Sequence, residues 1–434
     1  MTHTKLLSLK EAILININIM FGTGIFINTV LLAKNTGLLG GGLYILNGIL
    51  VLPLILSMAV LMRIHPRGGF YTFGSEEINS FAGFLSAWSY FVGKLASATL
   101  MLHTALSLIQ TIIPVLQTIN ILLLDCLVLC LFIMLNLMRM NISIQLQSTT
   151  FVIKLIPIFF IVSCGLFFME PGTWVAPDSF ISIIQSMPLA LFTSLGFEAT
   201  LSLSDKIENP QINGPRAIVT AFAIVMGLSA LFQTFFYCML GSNLAQLPNY
   251  LFAFPTLLNK LMSNHTIAHY LSSFFHLAIA SSALGSAYGI LFSTHWNLYA
   301  IAQKGHIFFH TFFTKLNNHA IPAAGILLQG AVCLFYIFIT RGNQVPLQIV
   351  ASFGCTISYT VSIIALLYAQ KKSTQHSVWI ARLALLNCGF FIASSLYSLL
   401  AIPMNSFALF TLLLILGICM FFITAQESVN APSN

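Results

Sequence analysis

Apolar runs of about the length that crosses a bilayer recur along the whole chain, divided by short polar connections. They fall at about 11–33, 41–62, 81–108, 119–138, 149–168, 180–203, 215–240, 267–302, 322–340, 345–369, 379–401 and 406–424. Barrel strands are about ten residues long and alternate, so these continuous runs predict helices. The expected fold is an all-α integral membrane protein of about twelve transmembrane helices. The longest connection, around 241–266, leaves no room for a large soluble domain between spans. Ser8 and Glu11 stand at the S-x-x-E spacing of a capping box and mark the first helix start. No small-residue cleavage site follows Lys5 and Lys10 before the run passes Phe26. The segment therefore reads as a retained helix, not a cleaved signal.

Composition adds an exclusion. Hydrophobic residues make up 58% of the 434 and charged residues 6%, with a mean hydropathy of +0.93. A soluble domain carries about a quarter charged residues, so a water-soluble globule is excluded. Charge placement sets an orientation. With the N-terminus in the cytoplasm, most of the 17 lysines and arginines fall on inside ends and loops, Lys5, Arg139 and Lys372 among them. Lys34, Lys260 and Arg341 fall outside, and Lys94 and Lys154 lie within spans. The positive-inside rule then puts both termini in the cytoplasm and requires an even span count. The net charge of +7 follows from this bias. Its basic residues are scattered, so no nucleic acid partner is expected.

The remaining chemistry is sparse. All eight cysteines fall in apolar runs, and the four-residue spacing of Cys126 and Cys130 reads as helix packing. His306 and His310 lack the Cys or carboxylate support of a metal site. Neither metal nor cofactor is expected. No H-E-x-x-H, G-x-S-x-G or Walker-type sequence occurs, which argues against an enzyme and an ATP-driven pump.

Two runs contain what a spanning helix should avoid. The first holds Gly22-Thr23-Gly24 near its middle, and the sixth holds Ser194-Leu195-Gly196-Phe197-Glu198. Each glycine costs roughly 1 kcal/mol of helix propensity relative to alanine. Gly24 and Gly196 are 172 positions apart, each in the first span of a five-span block. Five is odd, so the second block is inverted relative to the first. Interrupted helices at matching places of inverted repeats point to a transporter's substrate site. A gap at Gly22–Gly24 frees amides around Thr23, Gly24 and Ile25, at the positive end of a half-helix, for a carboxylate. A gap at Gly196 frees carbonyls around Phe192 to Leu195 for an ammonium. One zwitterionic amino acid satisfies both. The competing reading is that these glycines only allow close helix packing.

Four stretches resemble one family. "FGTGIF" is similar to a G-[ST]-G-I-F break in a first helix. "HPRGGFYTFGSEEINSFAGFLSAW" is similar to a P-x-GG-x-Y…G…GF…W loop. "SLGFEATLSLSDKIENPQINGPRAI" is similar to a G-F-E…E…NP…PRAI sixth-helix pattern. "LGSAYGILFSTHWNLYAIAQKGHIFFHTFFTKLNNHAIPAAG" is similar to an eighth helix and its loop into a proline-started ninth. Together, in this order, they resemble the amino acid–polyamine–organocation superfamily of secondary transporters. The resemblance implies a five-plus-five inverted repeat with discontinuous helices 1 and 6. The halves would be 1–174 and 175–370, with 371–434 holding two peripheral helices and a short tail. The sequence departs in "NPQINGPRAI", a residue or so longer than the common spacing and without its intervening Arg. It also has Gln303-Lys304-Gly305 where the family often has Asp-Gly.

The resemblance also implies site residues. Substrate would contact Thr23, Gly24, Ile25, Phe192, Leu195, Gly196 and Lys94. Phe192 stands where relatives carry an aromatic that closes over the substrate; ordinary core packing is the alternative. Lys94 would attract a side-chain carboxylate or pair with Glu198. Glu198 would serve in pH sensing, or merely partner the exposed amides of the break. Lys154 occupies the place of a bound sodium in sodium-coupled relatives and would carry a proton; the alternative is a lysine snorkelling to the headgroups. Ser281 and Ser282 would complete a sodium site by analogy, which Lys154 opposes by repulsion. The expected protein is a permease or exchanger of neutral or acidic amino acids in a bacterial-type cytoplasmic membrane. Protons are the candidate coupling ion, lipid its surroundings, and a monomer or homodimer its state. The alternative is a transporter-shaped sensor or scaffold that binds amino acid without moving it.

Overall fold

The computed structural model describes residues 6–138, 140–170, 179–372, 378–400 and 405–430, with side chains for all but 140–151, 372 and 427–430. Lys5, Arg139, the Lys372 side chain and the expected 174/175 boundary lie outside the described residues. The spans are helical. They run Leu9–Met20 with Gly24–Thr36, Leu39–Ile64, Ser80–Ile112, Ile121–Asn136, Met140–Phe168, Phe180–Ser194 with Ala199–Ser202, Pro210–Leu240, His265–Gln303, Ala323–Thr340, Gln344–Lys372, Val378–Leu399 and Asn405–Asn430. Among the described residues, eight are long and apolar enough to cross a membrane singly, and the first is a pair bent by 41° at its break. The fourth, the fifth beyond residue 151 and the first arm of the sixth are shorter apolar helices. The twelve-span reading matches this order. The 241–266 connection is folded into short helices, Ser242–Gln246 and Ala253–Leu261.

Helix ends follow from local chemistry. The Ser8–Glu11 capping box is complete, with the Ser8 amide donating to Glu11 Oε2 at 2.8 Å. Asn79, Asn120 and Asn264 accept amide bonds at the starts of the third, fourth and eighth spans. The end of the bundle that carries Leu7 is called here the N-face. There Leu7 pairs with the strand-like segment after the sixth span: its amide donates to the Lys206 carbonyl at 2.7 Å, and its carbonyl accepts from Glu208 N–H at 2.9 Å. The third, eighth and tenth spans are the most enclosed, while the eleventh and twelfth leave most of their apolar side chains uncovered. Such a surface suits lipid contact.

Two close approaches rest on missing side chains. The loop helix Phe70–Glu77 lies across the start of the third span. A Cβ on Gly83 would stand 2.5 Å from the Tyr71 carbonyl oxygen, and one on Gly74 2.6 Å from Gly83 N. Both obstacles are backbone and cannot step aside. Gly389, by contrast, faces nothing within 4 Å. Gly83→Ala is expected to destabilise by about 1–3 kcal/mol or more through overpacking. Gly389→Ala is expected to be neutral or slightly stabilising through helix propensity. Thermal unfolding of the purified variants in detergent checks both signs.

Candidate functional site

Both glycine runs break their helices as the sequence suggests. In the first span the α-helix stops at Met20 and resumes at Gly24. In the sixth it stops at Ser194, and Gly196 takes φ +130°, a conformation L side chains rarely adopt. The two breaks touch. A Cβ on Gly196 would stand 2.8 Å from Met20 N, and one on Gly24 would stand 2.8 Å from Thr193 Oγ1 and 3.1 Å from Phe192 Cδ1. Gly22 is covered by Met101 of the third span. Phe192 therefore packs on Gly24.

Each break has two cut ends, and side chains tie off one of each. The C-terminal end of the first arm of span one exposes carbonyls in the apolar interior. Lys154 Nζ donates to the Asn18 and Phe21 carbonyls at 2.7 and 2.9 Å. Ser286 Oγ donates to Asn18 O at 2.6 Å, and Ser282 Oγ donates to Phe21 O at 2.7 Å. Lys154 is fully buried. The snorkelling alternative is thus overturned: the side chain turns inward to the cut helix end. The serine pair expected there is also corrected. Ser286, not Ser281, joins Ser282, because residues one turn apart share a helix face; Ser281 is only half-buried.

In the sixth span amides are the tied groups: Asn16 Oδ1 accepts from the Thr200 amide of the second arm at 3.2 Å, and Glu198 acts within the break. Glu198 Oε2 accepts from the Gly196 amide at 2.8 Å, while Oε1 lies 2.9 Å from Lys94 Nζ. Both side chains are buried. Glu198 thus serves the local pairing and also meets Lys94, two of the roles the sequence offers. Tyr90 and Tyr359 stand beside it. Lys94 is in this way engaged by Glu198, and not open toward the breaks.

The other two ends stay open. Among the described residues the Thr23, Gly24 and Ile25 amides have no acceptor, and the Thr193, Ser194 and Leu195 carbonyls have no donor outside helix bonding. The Phe192 carbonyl, expected free, accepts from Leu195 N–H at 3.1 Å because the chain tightens as the helix ends. Four asparagines that periodicity treats as misfits hold this arrangement. Asn16 and Thr200 bond reciprocally at 3.2 Å, joining the N-face arms of both spans. Asn28 Nδ2 donates to Leu189 O at 2.9 Å, joining the opposite arms. Asn18 Nδ2 donates to Gly285 O and Asn47 Nδ2 to Ala190 O, both at 3.3 Å. Polar side chains inside apolar runs were the available signal. Met101 carried none.

Toward the N-face lie cavities of about 210 and 310 Å³. The smaller reaches Phe70, Leu201, Ser202 and Asn297. Phe70 lies tilted against Tyr90 at 4.5 Å between ring centres, and Tyr90 in turn stands beside Glu198. No cluster of His, Cys, Asp or Glu suited to a metal occurs among the described residues.

Broken helices inside an all-α bundle with many apolar helices of spanning length define an integral membrane protein. A family model described as amino acid permease matches residues 7–434, and the chain belongs to that family. It is 26% identical over 415 residues to the cystine/glutamate transporter of Homo sapiens, covering 90% of this chain and 80% of that one. The cystine/glutamate transporter of Pongo abelii matches equally. An uncharacterized transporter of Mycobacterium tuberculosis (strain ATCC 25618 / H37Rv) is 23% identical over 312 residues, 69% of this chain and 66% of the relative. The protein is a transmembrane amino acid permease and not an enzyme.

Removing one partner of a buried ion pair leaves a charge without compensation, at a cost of about 3–5 kcal/mol, whereas an apolar pair of similar volume is often tolerated. Glu198→Gln is therefore expected to lower the melting temperature sharply. Adding Lys94→Met is expected to restore most of it. A double-mutant cycle on thermal unfolding checks the coupling.

Proposed function

We propose that this chain is a secondary transporter that carries amino acids by alternating access. Substrate binds between the two breaks, its carboxylate on the Thr23, Gly24 and Ile25 amides and its ammonium on the Thr193–Leu195 carbonyls. One observation carries the reading: amides are left open on one break and carbonyls on the facing one. A helix N-terminus favours an anion and a C-terminus a cation. The five-plus-five division, with halves near 1–174 and 175–370, gives each half one broken helix. The N-face is assigned to the cytoplasm by the positive-inside rule, in a bacterial-type inner membrane, as a monomer or homodimer in lipid.

In the closed arrangement Phe192 covers Gly24, and the Phe70–Tyr90 pair closes the path to the N-face. Transport requires both covers to move alternately. A neutral amino acid leaves the Lys94–Glu198 pair intact. An acidic one has to compete with Glu198 for the Lys94 ammonium, and the name of the human relative keeps that substrate in the test. Lys154 caps the first half-helix as a cation in the position of a coupling ion. Loss and regain of its proton would release and restore that cap and link transport to pH, with Glu198 as the second candidate for linkage.

The test is uptake and exchange of a panel of labelled amino acids in proteoliposomes, at two pH values, with and without sodium. Binding without accumulation or exchange would favour the sensor or scaffold reading. Gly24→Val places a side chain against Thr193 and is expected to abolish uptake while membrane insertion persists; normal uptake by that variant removes the carboxylate cradle. Lys154→Ala is expected to lose pH dependence along with most activity. If the full pH dependence survives, protons are coupled elsewhere.

A further inference from the structure

The cavity beside Trp296 and the end of the fourth span is not explained by the central site. It lies between the end of the fourth span, one face of the eighth and the connection 316–321, and its volume of about 310 Å³ falls at the lower end of small-molecule pockets. Three of its lining side chains are buried, and each holds a polar atom without a partner among the described residues: His295 Nε2, Trp296 Nε1 and Asn136 Oδ1. Native proteins rarely leave such groups unpaired. Their polarity is fixed. His295 Nδ1 meets the Leu291 carbonyl at 3.0 Å, and a carbonyl only accepts, so Nε2 of the neutral ring offers a lone pair. Asn136 Nδ2 donates to Phe132 O at 2.9 Å, which leaves Oδ1 as acceptor. The indole Nε1 is a donor.

The walls add shape. Trp296 packs on His295 at 5.1 Å and edge-on to Tyr299 at 5.7 Å, and Lys206 Nζ lies 4.7 Å from the Trp296 ring centre. Lys206 is paired with Asp205 at 2.8 Å, so the rim is neutral overall. The roof is a formed turn. Asn317 Oδ1 accepts from the His319 and Ile321 amides, and Asn317 Nδ2 donates to Leu137 O at 2.9 Å, pinning the roof to the fourth span.

We propose that this chamber is a second amino acid site, distinct from the breaks, that holds a neutral α-amino acid by ammonium donation to His295 and Asn136 and carboxylate acceptance from Trp296. It rests on the transport reading above, as a waiting position beside the path between the central site and the N-face. Two acceptors and one donor around an aromatic wall match an ammonium, a carboxylate and an apolar side chain. Among the described lining residues, the Lys206–Asp205 pair leaves no free charge for an acidic or basic side chain to meet.

Equilibrium binding of radiolabelled L-leucine, L-methionine and L-phenylalanine to the full chain in nanodiscs tests this. The wild type is expected to bind two equivalents. His295→Phe removes one acceptor and is expected to weaken the chamber's equivalent about tenfold. Leu316→Trp, on the exposed roof, fills the chamber without disturbing the core and is expected to remove that equivalent. Gly24→Val is expected to remove the other one. Unchanged binding in both His295→Phe and Leu316→Trp overturns the chamber, as does the absence of binding by all three probes. A single wild-type equivalent abolished by Gly24→Val overturns the chamber and leaves the central site standing. A single equivalent that survives Gly24→Val and is lost in Leu316→Trp keeps the chamber and overturns the central site.

Discussion

The cut end of the first half-helix is the constraint on which this structure depends. Ending a helix in a medium without water exposes carbonyls that cost several kcal/mol each if unmet. Lys154, Ser282 and Ser286 meet them from two other spans. A cation suits that place twice over: it supplies donors in several directions, and it opposes the partial negative charge of a helix C-terminus. Its burial draws the fifth and eighth spans onto the first and fixes how the bundle core packs around the gap.

The tying-off is selective. In the first span the carbonyl end is capped and the amide end is left open. In the sixth, Asn16 takes the Thr200 amide of the second arm, Glu198 takes the Gly196 amide within the break, and the carbonyl end is left open. A dianion or a dication would find only one matching pole. The remaining pair of poles has the polarity of an α-amino acid backbone. On the transport reading proposed above, selection for the zwitterion comes from which ends the side chains already occupy, with Met101 and Phe192 beside the gap.

Span number, helix type and both breaks were legible in the sequence because each is a one-dimensional signal: an apolar run, a capping box, a glycine pair at matching positions. The caps were half legible. Lys154, Lys94 and Glu198 stand out as charges in apolar runs, but their partners are set by packing. A lysine near a span end can turn outward to headgroups or inward to a helix end, and only the presence of unmet carbonyls within reach decides. Ser286 was missed in favour of Ser281 because helix phase across a bundle cannot be read from one strand of sequence. Asn16 and Asn28 show as polar misfits, yet which arm each one braces depends on the fold.

Those asparagines constrain how the site can open. Asn16 joins the N-face arm of the first span to Thr200 on the N-face arm of the sixth. Asn28 joins the other arm of the first span to Leu189 on the other arm of the sixth. The bonds run between arms on the same side of the gaps. Bending at the gaps that kept these bonds would move the arms in pairs, one pair per face. A helix without breaks would transmit motion from one face to the other and open both together. Two adjacent breaks braced in this way would separate the faces mechanically, which is what the alternating access proposed above requires of the fold.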